Sequence, residues 1–494
     1  MTDSSPATPQ AGNVGSSPLE GGGKLTLDSL TEDFLLERST ADGEPDWLRD
    51  RRLAAFKNYR DQRWPERKLD EYWRNTPFAQ LVDVGLPLVS RGDDITIEAP
   101  NALVESLDDP AAATLLDGEV VAVNVPDHLA EQGVLVLPLR QAAHDHADMV
   151  RTHLGSLTTT SDGTGADEDR TISVNDAAWD DGVFVHVPAE VEVTTPIGVQ
   201  VHVTQPGTHL PRVLVVLGRF AKATVYVEHS SPDFERAEGT RRTPVLVDEV
   251  VEAIVGDGAA LDLVTLNEFG GGVTHLSLQK AQANRDATYR HLSVNTGAST
   301  LRLRPEVDLV GAGASTYPTG VYFADEGQHF DLQPYIRHIA PRATSDVLYK
   351  GALQGKSRTI FRGNVLVSKE AVGTDTNETN RTLILTDGAR ADSTPFLEIH
   401  CADITAGHGS ATGQIDARHL FYLESRGIPR DEALRLIVRG FFSEVLERFD
   451  APGVRDHAMA QIEHEIDIAD LDRIGVSDAA TVGEDPHAPI ASRG

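Results

Sequence analysis

Between about residues 182 and 400 the chain consists of short β-branched runs separated by Gly, Asp, Asn and Pro, without an amphipathic helical pattern between them. Runs such as GVFVHVPAEVEV and RVLVVLGRFAKATVYVEHS alternate apolar and polar residues, which is typical of strands with one buried face. So long a region without helices excludes doubly wound and barrel α/β folds, because these need a helix between parallel strands. A sandwich, a propeller and a β-helix remain open, since the runs show no clean repeat unit.

Helical patterns precede this region. Trp47, Leu53 and Phe56 recur at helical spacing, so we expect a small helical cap near the start of the fold. The stretch 81–180 mixes short apolar runs with polar residues, and its acidic part at 159–181 is typical of a surface loop.

Helical sequence patterns return after the strand-rich region. Residues 404–428 read ITAGHGSATGQIDARHLFYLESRGI, in which Asp416 is a suitable N-cap for a helix and Gly427 a suitable end. The segment 429–449 carries an unbroken apolar stripe and predicts the strongest helix of the chain. A further helix is expected within 452–470.

The charge balance limits the class of partner. The chain has 76 acidic and 44 basic residues, a formal charge of -32, and only 8 of the basic residues are lysine. Nucleic acid is a poor partner for such a surface, because phosphate binding needs a basic patch and the sequence shows none. Abundant Asp and Glu with scarce Lys also resembles the acidic proteome of salt-in halophiles, and we expect a halophilic protein rather than an ordinary acidic cytosolic one.

Cysteine usage and targeting patterns point to the cytoplasm. Cys401 is the one cysteine, so this chain alone builds no disulfide and no all-cysteine metal site. Residues 1–23 lack the charged and apolar regions of a signal peptide, and nowhere do about 18 apolar residues run together. We expect a soluble, cytoplasmic protein that has no membrane partner.

Familiar catalytic motifs are missing or incomplete. There is no GxSxG, and GDGAALD and GAGAST lack the Lys-Ser/Thr ending of a P-loop. In GQHFDLQPYIRHIAP, convergence of His329, Asp331 and His338 would suit Zn²⁺ or Fe²⁺, but a structural role carries the greater weight. The glycine-flanked His408 presents the same choice between ligand and structural residue.

Five blocks follow one another between about residues 183 and 450: GVYFADEGQHFDLQPYIRHIAPRATSDVLYKGAL, FRGNVLV, TNETNRTLIL, PFLEIHCADITAGHGSATGQID and LFYLESRGI. In these blocks the chain resembles the SufB/SufD family of iron–sulfur cluster assembly proteins, and more closely its SufD branch. The resemblance implies a mainly β fold with a right-handed parallel β-helix core and N-terminal and C-terminal helical domains. The expected divisions are a disordered leader at 1–23, an N-terminal helical region at 24–110, the β-helix core at 111–410, a C-terminal helical domain at 411–475 and a disordered acidic tail at 476–494.

The resemblance also implies a function. The chain would be a non-catalytic scaffold subunit of the SUF iron–sulfur cluster assembly complex. It would pair with a SufB-like protein through the β-helix and bind the SufC ATPase through the C-terminal helical domain, around 415–449, with ATP hydrolysis in SufC. A transient iron–sulfur cluster would be shared with SufB, and none would be held tightly by this chain alone.

The resemblance points to His408 as the metal ligand of a nascent-cluster site at the SufB interface. Asn380 stands where SufB carries a cysteine, and the neighbours of His408 are glycines where SufB has glutamates, which favours the SufD branch. The SufD motif Cys-Ser-His-Gly has its cysteine replaced by Ala406, which leaves Cys401 as a weak second metal candidate.

Two alternatives stay open at this point. A SufB-like homodimeric scaffold is compatible with the sequence. An unrelated β-helix carbohydrate-active enzyme would need export, paired carboxylates and an aromatic-lined groove. An aromatic content of 6% counts against it.

Overall fold

The computed structural model describes residues 25–89, 103–158, 169–467 and 474–477. The predicted leader at 1–23 and all but the first two residues of the predicted tail at 476–494 lie outside them. The α-helices of the described residues are α1 Glu32–Ala41, α2 Asp46–Asp61, α3 Phe78–Leu81, α4 Asp127–Ala130, α5 Leu139–Asp145, α6 Ala147–His153, α7 Arg170–Ala178, α8 Ala417–Ser425, α9 Arg430–Leu446 and α10 Val454–Asp467.

Strands make up about half of the remaining described chain. In order they are β1 Ala112–Leu116, β2 Glu119–Asn124, β3 Leu135–Pro138, β4 Gly182–Val187, β5 Ile197–His202, β6 Gly207–His209, β7 Arg212–Leu217, β8 Lys222–Ser230, β9 Val245–Val255, β10 Ala260–Glu268, β11 Val273–Ala283, β12 Thr288–Asn295, β13 Thr300–Leu309, β14 Ser315–Ala324, β15 His329–Leu332, β16 Tyr335–His338, β17 Thr344–Leu353, β18 Arg358–Phe361, β19 Asn364–Val367, β20 Thr374–Ile384, β21 Arg390–Ser393, β22 Phe396–Ile399, β23 Ile404–Gly413, β24 Ile415–Asp416 and β25 Val476–Ser477.

The strands stack into two mainly parallel sheets that alternate along the chain, which confirms the predicted parallel β-helix, here of about eight turns. One sheet runs β2-β1-β5-β8-β10-β12-β14-β17-β20-β23. The second sheet contains β3, β4, β6, β7, β9, β11, β13, β15, β16, β18, β19, β21 and β22. Lys222 pairs with Ala260, Ala260 with Thr288 and Thr288 with Ser315, so successive turns use 38, 28 and 27 residues. This variable turn length is why no clean repeat is visible in the sequence.

Alternate side chains of each strand point into the lumen and pack it tightly. Tyr322 pairs in register with Gly351, and Gly320 pairs with Tyr349. Each tyrosine ring covers its partner glycine so closely that a Cβ on Gly351 would lie 1.8 Å from the ring of Tyr322. At these positions large and small residues therefore alternate between adjacent turns, and each ring fills the space that the glycine leaves.

Helices cover the outside of both sheets. Helices α1, α2 and α5–α7 pack on the second sheet through an apolar cluster that includes Phe56, Val150 and Phe184. Helices α8–α10 pack on the ten-stranded sheet through a cluster that includes Phe323 and Phe441. No helix within the described ranges is long and apolar enough to cross a membrane.

The N-terminal helical group extends past the expected limit of 24–110. Helices α4–α7 lie between β2 and β4, inside the range 111–410 that the resemblance assigns to the β-helix core. Helices α5–α7 belong with the cap because residues such as Ala142 and Ala177 are buried together with apolar side chains of α1 and α2, whereas Leu129 of α4 is buried in the apolar cluster of the lumen. The part of the β-helix without helical insertions runs from β4 to β23.

The prediction of a surface loop at 159–181 is wrong for the described residues 169–181. Helix α7 occupies this stretch, and seven of its nine residues are buried; 159–168 lie outside the described residues. The polar composition misleads because Asn175 and Asp176 accept hydrogen bonds from the buried guanidinium of Arg212. A buried polar residue with such a partner cannot be told from a surface residue by composition alone.

The predicted C-terminal helices are confirmed. Asp416 caps α8 by accepting a hydrogen bond of 2.8 Å from the backbone N–H of Arg418. The stripe at 429–449 forms α9, and α10 takes up most of the segment 452–470. The first two residues of the predicted tail form β25, which pairs with β24.

Candidate functional site

The last turn of the β-helix leaves sheet edges open. Strand β23 ends the ten-stranded sheet and pairs with β20 on one side, and no described strand lies on its other side. Strands β21 and β22 end the second sheet in the same way. Edge strands present a row of backbone N–H and C=O groups, so this end of the β-helix is a template for pairing with another strand.

His408 lies exposed on β23, at the open end of the lumen. It shares the side of its strand with Ser410, whose Oγ donates a 2.7 Å hydrogen bond to Oγ of Ser393 on β21 in the other sheet. This side of β23 therefore faces the lumen, and it is open because no further described turn covers it. The flanking glycines bring no side chain that would shield the imidazole.

Glu378 lies one turn inside, in register with His408 on the neighbouring strand β20. Its side chain is buried, and neither carboxyl oxygen has a hydrogen-bond partner. It fits because residue 363 is glycine: a Cβ on Gly363 would come within 1.6 Å of Oε1. Burial raises the pKa of Glu378 to about 8. A carboxyl group that holds its proton at neutral pH thus neighbours the exposed imidazole.

Sequence reasoning missed Glu378. A signal was present, because it is the single acidic residue of TNETNRTLIL and the alternation of that strand places it on the same side as Asn380. Its burial, however, depends on the turns stacked around it.

Asn380 is held by a hydrogen-bonded ladder in the lumen. It pairs in register with Ser410, accepts a 3.1 Å hydrogen bond from the hydroxyl of Tyr322 and donates one of 3.0 Å to Oγ of Ser393. The amide is buried and has partners on both its oxygen and its nitrogen. At this position the chain offers hydrogen bonds and not a thiolate.

Cys401 does not join His408. It lies half-buried in the turn between β22 and β23 and packs against the apolar cluster of the lumen. At about 3.3 Å per residue, β23 rises roughly 13 Å from Ile404 to His408, and Cys401 precedes that strand. The two predicted metal candidates therefore lie apart, His408 in the middle of β23 and Cys401 in the turn before it. Ala406 is exposed between them.

The three residues of GQHFDLQPYIRHIAP do not converge. His329 and Asp331 of β15 both contact the hydroxyl of Thr76 on the N-terminal cap, with His329 Nε2 at 3.0 Å. His338 of β16 faces the lumen, where its Nε2 lies 2.9 Å from Oγ of Ser345. His338 is an odd number of residues from both His329 and Asp331, and such residues of extended chain point to opposite faces. The three side chains therefore have structural roles and form no common metal site.

The C-terminal helices expose an aromatic pair next to this end. Phe421 and Tyr422 of α8 are 71% and 56% exposed. The apolar stripe of α9 instead faces inward, with Leu434, Phe442 and Val445 fully buried. The most exposed apolar side chains of this domain are thus on α8, which begins directly after β24, while Leu436 of α9 is 38% exposed.

Comparison with known families covers nearly the whole described chain. A family model for the SUF system FeS cluster assembly SufBD core domain matches residues 201–441, and one for the SufBD protein N-terminal region matches 35–199. The core match includes the open end of the β-helix, α8 and most of α9.

Curated relatives agree with these matches. An iron–sulfur cluster assembly SufBD family protein of Mycobacterium tuberculosis is 39% identical over 62% of this chain and 76% of its own length. The iron–sulfur cluster assembly protein SufD of Bacillus subtilis is 27% identical over 90% of this chain and 99% of its own. SufB of the same organism is 26% identical over 83% and 88%.

Proposed function

The chain belongs to the SufBD family of iron–sulfur cluster assembly proteins, and from this membership we propose that it is a SufD-like scaffold subunit without catalytic activity of its own. It works in the cytoplasm and pairs with a SufB-like chain through the last turn of its β-helix. The observation that carries the proposal is the open edge of β23, with His408 exposed beside it. Asn380, in the place of the SufB cysteine, favours the SufD assignment.

The pairing surface combines backbone and apolar contacts. Phe396 of β22 is 53% exposed and Ile399 is 41% exposed; both lie beside the open edge, on opposite sides of their strand. Covering two such half-exposed side chains contributes about 1 kcal/mol each, roughly half the value for complete burial. Strand pairing at β23 adds main-chain hydrogen bonds, which fix the register of the partner.

A nascent iron–sulfur cluster is shared across this interface as the cargo of the assembly. Clusters are held chiefly by cysteine thiolates, and this chain has one cysteine, so the SufB-like partner supplies the thiolates and His408 supplies an imidazole. Cys401 is the weaker second ligand, since it lies away from His408. Glu378 is placed to exchange a proton or to add a carboxylate when it ionises.

The SufC ATPase docks on the C-terminal helical domain around 415–449. Phe421 and Tyr422 are the exposed aromatic side chains there, and α8 follows directly on the last turn of the β-helix. Movement of docked ATPase subunits would therefore be transmitted to the pairing edge through a short connection.

Pairing is tested by co-expression with the SufB-like and SufC-like proteins of the same genome. Phe396→Asp should lower the amount of co-purified SufB-like chain at least tenfold. Phe220→Asp is the matched control, because Phe220 is also 53% exposed but lies in the turn before β8. Equal recovery with both variants would contradict pairing at the open end.

The metal role is tested by anaerobic cluster reconstitution on the purified complex. His408→Ala should reduce the cluster absorbance per complex while leaving the subunit ratio unchanged. His400→Ala is the control, since His400 is also an exposed histidine of the last turn. Equal cluster signals in both variants would remove His408 from the site.

A homodimeric, SufB-like scaffold is the competing outcome, because an open edge also fits a second copy of itself. Light scattering of the chain expressed alone separates the two: a monomer that pairs only with the SufB-like chain supports the proposal. A stable homodimer that assembles clusters alone would replace it. Membership of the family removes the grounds for the carbohydrate-active alternative.

A further inference from the structure

A second cluster of ligand-type side chains lies inside the β-helix. His229 of β8, Glu249 of β9 and His275 of β11 place their ligand atoms within 4.8 Å of one another, and all three side chains are fully buried. We propose that these three residues bind a divalent transition-metal ion, such as Zn²⁺ or Fe²⁺, inside the lumen. Two imidazoles and a carboxylate are a donor set suited to these ions.

The orientation of His229 is that of a metal ligand. Its Nδ1 donates to the backbone carbonyl of Leu266 at 3.1 Å, which fixes the ring and turns the lone pair of Nε2 towards the cluster. Nε2 then lies 2.7 Å from Oε1 of Glu249, so two acceptor atoms face each other. Such a contact needs either a proton on Nε2 or, once the two atoms move slightly apart, a metal ion that binds both of them.

Glu249 has the support expected of a metal-binding carboxylate. Oγ of Ser277 donates to its Oε2 at 2.7 Å and holds that side of the group. Metal binding requires this carboxylate in its ionised form, and the hydroxyl of Ser277 is placed to stabilise that form.

His275 is fully buried and makes no hydrogen bond through either ring nitrogen. Its Nε2 lies 3.5 Å from Oε2 of Glu249. Buried polar groups almost always have a partner, so an imidazole with none indicates an ion or water that completes it.

A further oxygen borders the cluster. Asn267 of β10 pairs in register with His229, is buried, and leaves its Oδ1 without a hydrogen-bond partner. The ring of Phe269 packs against both histidine rings, with centroids 5.3 Å from His229 and 5.0 Å from His275. The site therefore has three ligands, an adjacent oxygen and an apolar wall.

The spacing is close to that around a bound ion, but the side chains must shift to bind one. A tetrahedral ion with bonds of about 2.0–2.2 Å separates its ligand atoms by roughly 3.3–3.6 Å. Of the two histidine–carboxylate distances, 3.5 Å matches this value and 2.7 Å is shorter, while the three ligand atoms as a group lie within 4.8 Å of one another. Because the site is enclosed, the ion enters as the β-helix folds, so loading is tested during refolding.

The test uses Co²⁺ as the probe. The full chain is unfolded in denaturant with a chelator, refolded with Co²⁺, freed of surface metal by brief chelator treatment, and analysed for Co²⁺ content and visible d–d absorption. We expect one Co²⁺ per chain, and at least a tenfold loss in His275→Gln. His338→Gln is the matched control, because His338 is equally buried in the lumen but bonds to Ser345.

The rival is a metal-free pair of imidazolium and carboxylate. It predicts no retained Co²⁺ in the unaltered chain, or equal retention in His275→Gln, and either result overturns the proposal. If His275→Gln does not refold, Ser277→Ala decides, since it keeps all three ligands. Loss of Co²⁺ to chelator that is about 10–100 times faster supports the site, and an unchanged rate overturns it.

Discussion

Replacing the buried carboxyl group beneath His408 should stabilise the protein, and increasingly so as the pH rises. Burial raises the pKa of Glu378 from an ordinary value of 4.5 to about 8, so the folded chain binds this proton more tightly than the unfolded chain. Below about pH 4.5 the burial of Glu378 costs no stability through ionisation, because the folded and the unfolded chain both hold the proton. Between 4.5 and 8 the free energy of unfolding falls as the pH rises, because folding then has to keep a proton that the unfolded chain releases.

The size of the effect follows from about 1.4 kcal/mol per pKa unit. The loss of stability from Glu378 is about 1 kcal/mol at pH 5.5, about 3 kcal/mol at pH 7 and about 4–5 kcal/mol at pH 8.5. Glu378→Gln keeps the shape of the protonated carboxyl group without its ionisation. The variant should therefore gain about 3 kcal/mol over the unaltered chain between pH 5.5 and 8.5.

Urea unfolding followed by far-ultraviolet circular dichroism at these three pH values measures the difference. Glu370→Gln is the control, because Glu370 is an exposed carboxylate in the turn before β20. It should track the unaltered chain to within about 0.5 kcal/mol. A constant gap between Glu378→Gln and the unaltered chain, or one that widens towards acid, would refute the assigned burial of Glu378.

Three further outcomes follow from the packing and the charge. Gly351→Ala should cost about 1–3 kcal/mol of stability, because the new Cβ meets the Tyr322 ring; an unchanged thermal midpoint would show that the lumen yields. Arg212→Ala should cost about 3–5 kcal/mol because it strands the buried Glu252, with which Arg212 makes a 2.6 Å ion pair. Arg219→Ala removes an exposed ion pair with Glu190 and should cost under about 1 kcal/mol in the same urea titration. Equal losses of stability in Arg212→Ala and Arg219→Ala would contradict the greater cost assigned to the buried pair. Because the formal charge is -32, the thermal midpoint should rise as KCl increases to molar concentration, and a flat or falling midpoint would remove the halophile hypothesis.

Much of the fold was accessible from local patterns. Alternation within the β-branched runs predicts strands, and the stripe at 429–449 predicts α9, because both depend on residues a few positions apart. The same reasoning failed for α7, where the buried Arg212 satisfies polar side chains that look like those of a loop. The choice of a β-helix came from the resemblance and not from periodicity.

For the candidate site, too, part of the arrangement could be predicted from the sequence and part could not. The sequence by itself determined that His408 sits between glycines at the junction of strands and helices, and that one cysteine is too few for a cluster. Only the tertiary structure decided that Glu378 lies buried beside His408, and that His229, Glu249 and His275 meet in the lumen. The physical reason is the length of the β-helix turns. Turns of 27 to 38 residues determine which side chains of successive turns stack on one another, and patterns a few residues long do not encode the length of a turn.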